Sequence, residues 1–205
     1  MDFNGFFKED FAVFSIDGLP ERMTAIKSNI QPKFQIIGKD LCETLTSETG
    51  NEMFLHIAKH ARRTVNPPHD TWLAICDNNR GYKQHPHFQV GLFDDHLFIW
   101  LAYIYELPNK DSIANVFLDH LQQLADTIPD HYVISQNHLQ KAATPVSEID
   151  LQKVLTRFRD VKKAEFLVGK HIKITDPLLQ DGEKLVIDIK ETFKLLLPIY
   201  QLSKE

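Results

Sequence analysis

Cysteine is scarce in this sequence: Cys42 and Cys76 are the only two among 205 residues, and neither belongs to a Cys-x-x-Cys pair. A disulfide framework or a cysteine-built metal centre is therefore not expected, and the two residues read as reduced thiols of a cytosolic protein. Cys76 ends an apolar run and reads as a small buried residue. Long hydrophobic runs are also missing. The longest apolar or aromatic stretch, Leu97 to Tyr105, stops at Glu106, far short of the roughly 20 residues that span a bilayer. No membrane partner is expected. The first ten residues lack a basic region and a small-residue cleavage site, so a cytoplasmic location is expected over export. The Gly-x-x-x-x-Gly-Lys loop, Gly-x-Gly-x-x-Gly and the Gly-x-Ser-x-Gly elbow are all absent, which removes the usual signatures of nucleoside-triphosphate, dinucleotide and serine-hydrolase chemistry. His171-Ile172-Lys173 and His69-Asp70-Thr71 occur as single copies, whereas phosphoesterases using His-x-Lys or His-x-Thr need two. Paired acids at Glu9-Asp10 and Asp94-Asp95 read as solvated charges, because a general acid/base pair needs two different environments to separate its pKa values.

Apolar residues, by contrast, are plentiful. Leu, Ile, Val and Phe make up 65 of the 205 residues, well above the roughly 20% below which chains stay disordered. From Leu19 the apolar positions Met23, Ile26, Ile30, Phe34, Ile37, Leu41 and Leu45 recur at steps of three and four, which predicts an amphipathic helix. Pro32 should kink or divide it and Gly50 should end it. Thr71–Cys76 and His87–Phe93 read as strands, the latter alternating Phe88, Val90 and Leu92 with His87, Gln89 and Gly91. Asp94-Asp95 suits a tight turn into Leu97–Tyr105, a run fit for a strand buried on both faces, so these segments predict a central hairpin. A helix over Ile113–Ile128, a short strand at Tyr132–Ile134, a linker at Gln140–Pro145, a helix from a Ser147–Asp150 cap to Arg159, a strand at Phe166–Ile174 and a C-terminal helix over Leu185–Tyr200, bent late by Pro198, complete the prediction.

The formal charge of -5 hides an uneven distribution. From His56 to Gly91, Lys59, Arg62, Arg63, Arg80 and Lys83 face only Asp70 and Asp77, a balance of +3 that leaves -8 for the remainder. Five of the ten histidines, His56, His60, His69, His85 and His87, lie in the same window. A local basic excess attracts anions. If His56–Arg62 is extended, His56, Ala58, His60 and Arg62 share a side; if helical, His56, Lys59, His60 and Arg63 do. Asn66-Pro67-Pro68 should fix a rigid turn, and Arg80-Gly81-Tyr82-Lys83 offers a turn whose glycine lets the backbone approach a ligand. His85, His87 and Gln89 alternate onto one strand face. A patch of His56, His60, Arg62, Arg63, Arg80, Tyr82, Lys83, His87 and Gln89 is thus a candidate ligand site, best suited to phosphate or carboxylate. Scattered surface charge with backbone-bonded histidines is the plainer alternative. If the protein is an enzyme, His60 or His87 is the candidate general acid/base. A metal is the rival ligand, since His56/His60 and His85/His87 have workable spacings, but the first pair lacks the Glu of a zinc-protease helix and adjacent cations repel a metal; no metal is assigned. Single-stranded nucleic acid would use the same cations, with Tyr82 or Phe88 stacking on bases, and an acidic protein partner is a third possibility.

The run His56-Ile57-Ala58-Lys59-His60-Ala61-Arg62-Arg63-Thr64-Val65-Asn66-Pro67-Pro68, with Arg80-Gly81-Tyr82-Lys83 and Pro86-His87-Phe88-Gln89-Val90-Gly91-Leu92, resembles the YktB-like family of uncharacterised bacterial proteins. The likeness extends from Phe11 and Gly18-Leu19 to the closing Phe193–Leu202 segment. It implies a cytosolic α+β protein and carries no established activity, substrate or cofactor. Each candidate site residue fits the pattern, whereas His85 stands where an apolar residue can occur, which weakens the His85/His87 pair. The expectation is one α+β domain over residues 1–205, a mostly antiparallel sheet around a central hairpin packed by amphipathic helices, that binds a small anionic ligand.

Overall fold

The structure is a computed structural model and describes residues 3–205. Seven strands form one antiparallel sheet in the order β1-β2-β3-β4-β7-β5-β6: β1 is Phe54–Ile57, β2 Thr71–Cys76, β3 His87–Leu92, β4 His96–Tyr103, β5 Val133–Ser135, β6 Thr144–Pro145 and β7 Phe166–Lys173. The predicted hairpin is its centre. Asp94 and Asp95 turn the chain, Phe93 N–H donates to His96 O, and His87 stands opposite Ala102 with Leu92 opposite Leu97. The architecture is α+β, as expected.

Period-two alternation divides the sheet into two faces. Leu73, Val90, Ile99 and Val168 point to one side and join the main core beneath the helices, while Trp72, Trp100, Ala102 and Leu167 point to the other and form a smaller cluster. Every residue of β2, β3 and β4 is buried. On the helical side lie α1 (Lys8–Ala12), α2 (Leu19–Ala25), α3 (Gln31–Thr49), α4 (Lys110–Asp119), α5 (Leu121–Thr127), α6 (Leu151–Asp160) and α7 (Gly182–Leu202). Phe88 meets Phe193 and Tyr200 of α7 at ring-centroid distances of 4.8 and 5.2 Å. That aromatic contact joins helix layer to sheet.

Several expected boundaries move. The Leu19–Leu45 stripe runs unbroken in its burial but is wound as α2, a π-turn over Ile26–Ile30, and α3. Pro32 thereby falls in the first turn of α3, where its missing N–H leaves no orphan partner. Gly50 closes α3 at φ 70°. The expected Ile113–Ile128 helix is two helices separated at His120, and the expected linker at Gln140–Pro145 contributes β6, which pairs with β5. The cap of α6 is Asp150, whose carboxylate accepts from Lys153 N–H at 3.0 Å, while Ser147 lies in a preceding 3-10 turn.

Large rings on the loop side are accommodated by glycine in the neighbouring strands. Gly91 stands opposite Phe98, and a Cβ there would lie 2.2 Å from Phe98 Cζ; Gly169 stands opposite Trp100, and a Cβ there would lie 1.9 Å from Ile99 O. The second contact is with backbone, which cannot rotate away. Gly169→Ala should lower the free energy of urea unfolding by about 1–3 kcal/mol with an unchanged denaturant slope; an unaltered midpoint would show that the β4–β7 spacing is not set by this glycine.

Candidate functional site

The loop-side face is covered by three connections: residues 58–70, residues 77–86 and residues 136–143. Trp72 is the point at which they meet. Its Nε1–H donates to Tyr82 Oη at 3.0 Å, His60 packs edge-on at 5.5 Å between ring centroids, His138 packs edge-on at 6.0 Å, and Lys83 Nζ lies 5.9 Å from its ring. A cleft of about 330 Å³ opens beside this ring, with Lys59, Arg62, Arg63 and Lys83 in its walls and no acidic residue among those lining it. A second opening of about 660 Å³ shares Lys59, Arg62, Tyr82 and Lys83 and adds His56 and Glu106. Glu106 takes part of the charge of Lys83 at 3.4 Å.

The local backbone explains why these cations converge. β1 ends at Ile57, Ala58 N–H still donates to Trp72 O, and the chain then turns through His60 at φ 49°, with Arg63 N–H closing on His60 O. Neither the extended nor the helical reading of His56–Arg62 holds beyond Ile57. The left-handed conformation is unusual for a residue with a Cβ; His60 Nε2 lies 3.2 Å from Thr71 Oγ1, which holds the ring against Trp72. Gly81 provides the second left-handed turn, at φ 63°, ahead of the Tyr82–Gln84 turn. The 58–70 loop is tethered below by buried Arg22, whose guanidinium donates to Ile16 O at 2.8 Å and Pro68 O at 2.9 Å.

The candidate residues from the sequence sort into four positions. His60, Arg62, Arg63, Tyr82 and Lys83 line the cleft, and His56 lines the second opening while donating from Nε2 to Asn78 O. His87 and Gln89 are buried, line neither opening and hydrogen-bond each other. Arg80 is exposed and lines neither opening; its backbone N–H is held by Asn78 Oδ1. Phe88 is buried on the helical side and is unavailable for stacking on a base. Lys59, counted in the basic excess but left out of the candidate patch, and three residues with no signal in the sequence complete the site. Lys59 and Trp72 line the cleft, and behind Trp72 a buried His138 receives Glu165: its Nδ1 is 2.9 Å from the carboxylate, which also accepts His138 N–H at 2.7 Å. No spacing rule links positions so distant in sequence.

Burial sets the protonation states. His87 Nδ1–H donates to His85 O at 2.7 Å and its Nε2 accepts from Gln89 at 2.7 Å, so the neutral ring is satisfied on both sides. Burial lowers its pKa to about 3. As a general acid/base, His87 is thus excluded by its enclosure. Burial, with Arg63 and Lys83 nearby, lowers His60 to about 4, leaving it neutral at pH 7. Burial pushes Tyr82 up to about 12 and both thiols up to about 11, so Cys42 and Cys76 are protonated and unreactive. Among the described residues, no three His, Cys, Asp or Glu side chains are grouped so as to hold a metal ion, and no helix is long and apolar enough to cross a membrane.

The model of a family described as a domain of unknown function, DUF1054, matches residues 6–200. The chain belongs to this family. Its DUF1054 relatives include UPF0637 proteins of Shouchella clausii, 60% identical over 203 residues (99% of this chain, 96% of that protein), and of Oceanobacillus iheyensis, 60% identical over 201 residues (98% and 97%). A UPF0637 protein of Listeria monocytogenes is 50% identical over 203 residues, 99% of each chain. This membership fits the resemblance to the YktB-like proteins, and the DUF1054 match takes in the whole cleft.

Because His87 is neutral in the fold and titrates near 6.5 when unfolded, its contribution is fully present above pH 6.5 and is lost as pH falls toward 3. Replacing it with Met should flatten the dependence of unfolding free energy on pH between 6 and 4 by about 1.4 kcal/mol per pH unit. Parallel profiles for the two proteins would show that His87 is not buried neutral.

Proposed function

We propose that this protein is a cytoplasmic binding protein for a small anionic ligand, phosphorylated, carboxylated or a nucleotide, held in the cleft beside Trp72. The observation that carries the reading is the convergence of Lys59, Arg62, Arg63 and Lys83 on about 330 Å³ with no acid in the wall. Such an excess is unfavourable for the empty protein and is relieved by an anion. Arg62 supplies a planar fork matched to two ligand oxygens, and Lys83 a mobile point charge. Arg63 donates Nη1–H to Asn66 O and Pro67 O, so it serves the loop as well as the ligand.

The same cations would serve single-stranded nucleic acid or an acidic protein, but the geometry favours a small ligand. Trp72 is only 6% exposed and edge-enclosed, so it forms a wall and not a platform on which successive bases stack. The neutral His60 ring in the wall is available to accept a proton from a ligand, which leaves room for chemistry without requiring it.

A thermal-unfolding panel of inorganic phosphate, nucleotides and small carboxylates tests the reading. One class should raise the midpoint with the logarithm of its concentration above Kd, reaching about 5–10 °C at a hundredfold excess. Arg62→Ala and Lys83→Ala should abolish that rise, while Arg80→Ala should leave it intact because Arg80 lines neither opening. No stabilisation by any class, or equal loss in all three variants, would refute the assignment.

A further inference from the structure

Asp70 is the last residue before β2 and lies two positions from Trp72, on the same face of the sheet. It is 2% exposed, forms no ion pair among the described residues, and its Oδ2 has no hydrogen-bond partner. Two other buried polar atoms share that condition, His96 Nε2 and Asp188 Oδ2, but each of those side chains uses its other polar atom in a close contact, His96 in a hydrogen bond to Asp95 and Asp188 in an ion pair with Lys170. Asp70 has no ion pair, and its carboxylate is met by its own backbone N–H. A buried carboxylate with one oxygen unpartnered is costly and calls for an explanation. Arg63, Lys83 and His138 stand near enough to counter part of the burial, which still raises its pKa to about 6. Two of these three line the cleft, and the third adjoins Leu139, which also lines it.

Asp70 Oδ2 is thus a buried acceptor standing behind a ring of cations that attract an anion.

We infer that Asp70 accepts a hydrogen bond from an amino or hydroxyl group of the same ligand whose anionic group rests on Arg62 and Lys83. The ligand class is thereby narrowed to a small phosphorylated or carboxylated molecule that carries a hydrogen-bond donor at its other end. This rests on the cleft being an anion site. Simple anions would occupy the outer half alone. A donor-bearing anion would fill both halves and satisfy the orphaned carboxylate.

The test compares ethyl phosphate, which carries no donor, with phosphoethanolamine and glycerol phosphate, by calorimetric titration at pH 7.5. The unmodified protein should bind at least one of the donor-bearing phosphates tenfold or more tightly than ethyl phosphate. Asp70→Asn should erase that preference while leaving ethyl phosphate affinity within twofold, and Arg62→Ala should weaken all three together. The melting temperature of ligand-free Asp70→Asn should equal or exceed that of the unmodified protein, because an unpaired buried charge is removed; a structural role would lower it. Equal binding of all three phosphates, or a preference that survives Asp70→Asn, would overturn the inference while leaving the anion site standing. Absence of binding by all three would overturn both.

Discussion

The indole of Trp72 contacts all three loops that cover its face, and it does so from a strand buried on both faces. One polar atom and three ring contacts are used: Tyr82 takes the Nε1–H, His60 and His138 pack edge-on, and Lys83 lies over the π-face. The ring is too large and too enclosed to shift independently of the sheet. Positions of Arg62, Arg63 and Lys83 therefore follow from the register that places Trp72 opposite Gly91. The π-face also favours a cation beside it, which offsets part of the repulsion among the clustered bases.

A sheet with two buried faces is an unusual demand on a 205-residue chain, and its two sides meet it differently. The helical side uses branched aliphatics and phenylalanine, with Phe88 fitted against Phe193 and Tyr200. On the loop side, Trp100 and Phe98 lie over glycines, and polar groups are buried only with partners: His87 with Gln89 and His85 O, His138 with Glu165. Against that background the isolation of Asp70 stands out. The same pairing logic explains how an acidic protein keeps a basic cleft, since the cations sit on loops at the rim while His60 and His87 remain neutral.

Much of the fold was legible because its longest elements obey a single period. The β3–β4 hairpin followed from alternation around Asp94-Asp95, and α3 from a stripe ending at Gly50. The two edge strands were not legible. β1 and β6 have four and two residues, too few for alternation to show, and their pairing is decided by neighbours elsewhere along the chain, whereas the three-residue β5 falls within one residue of the strand expected at Tyr132–Ile134. The break at His120 leaves the apolar stripe intact, so periodicity passes over it. The site divides similarly. Clustered charge pointed to residues 56–91, yet charge alone could not separate Arg62, which lines the cleft, from Arg80, which does not, because loop conformation and not charge places them. Nor could it show that His87 and Gln89 satisfy each other, or bring in His138 and Glu165 from beyond residue 130.

The central claim is that anions enter the cleft beside Trp72, and the sequence offers a direct reporter because it contains two tryptophans. Trp72 borders the cleft, whereas Trp100 lies farther across the same face, over Gly169, and is not among the residues lining it. In a ¹⁵N-resolved NMR titration with phosphate, the account predicts that the Trp72 indole N–H resonance moves saturably while that of Trp100 stays fixed. A stationary Trp72 resonance, or equal movement of both, would contradict it.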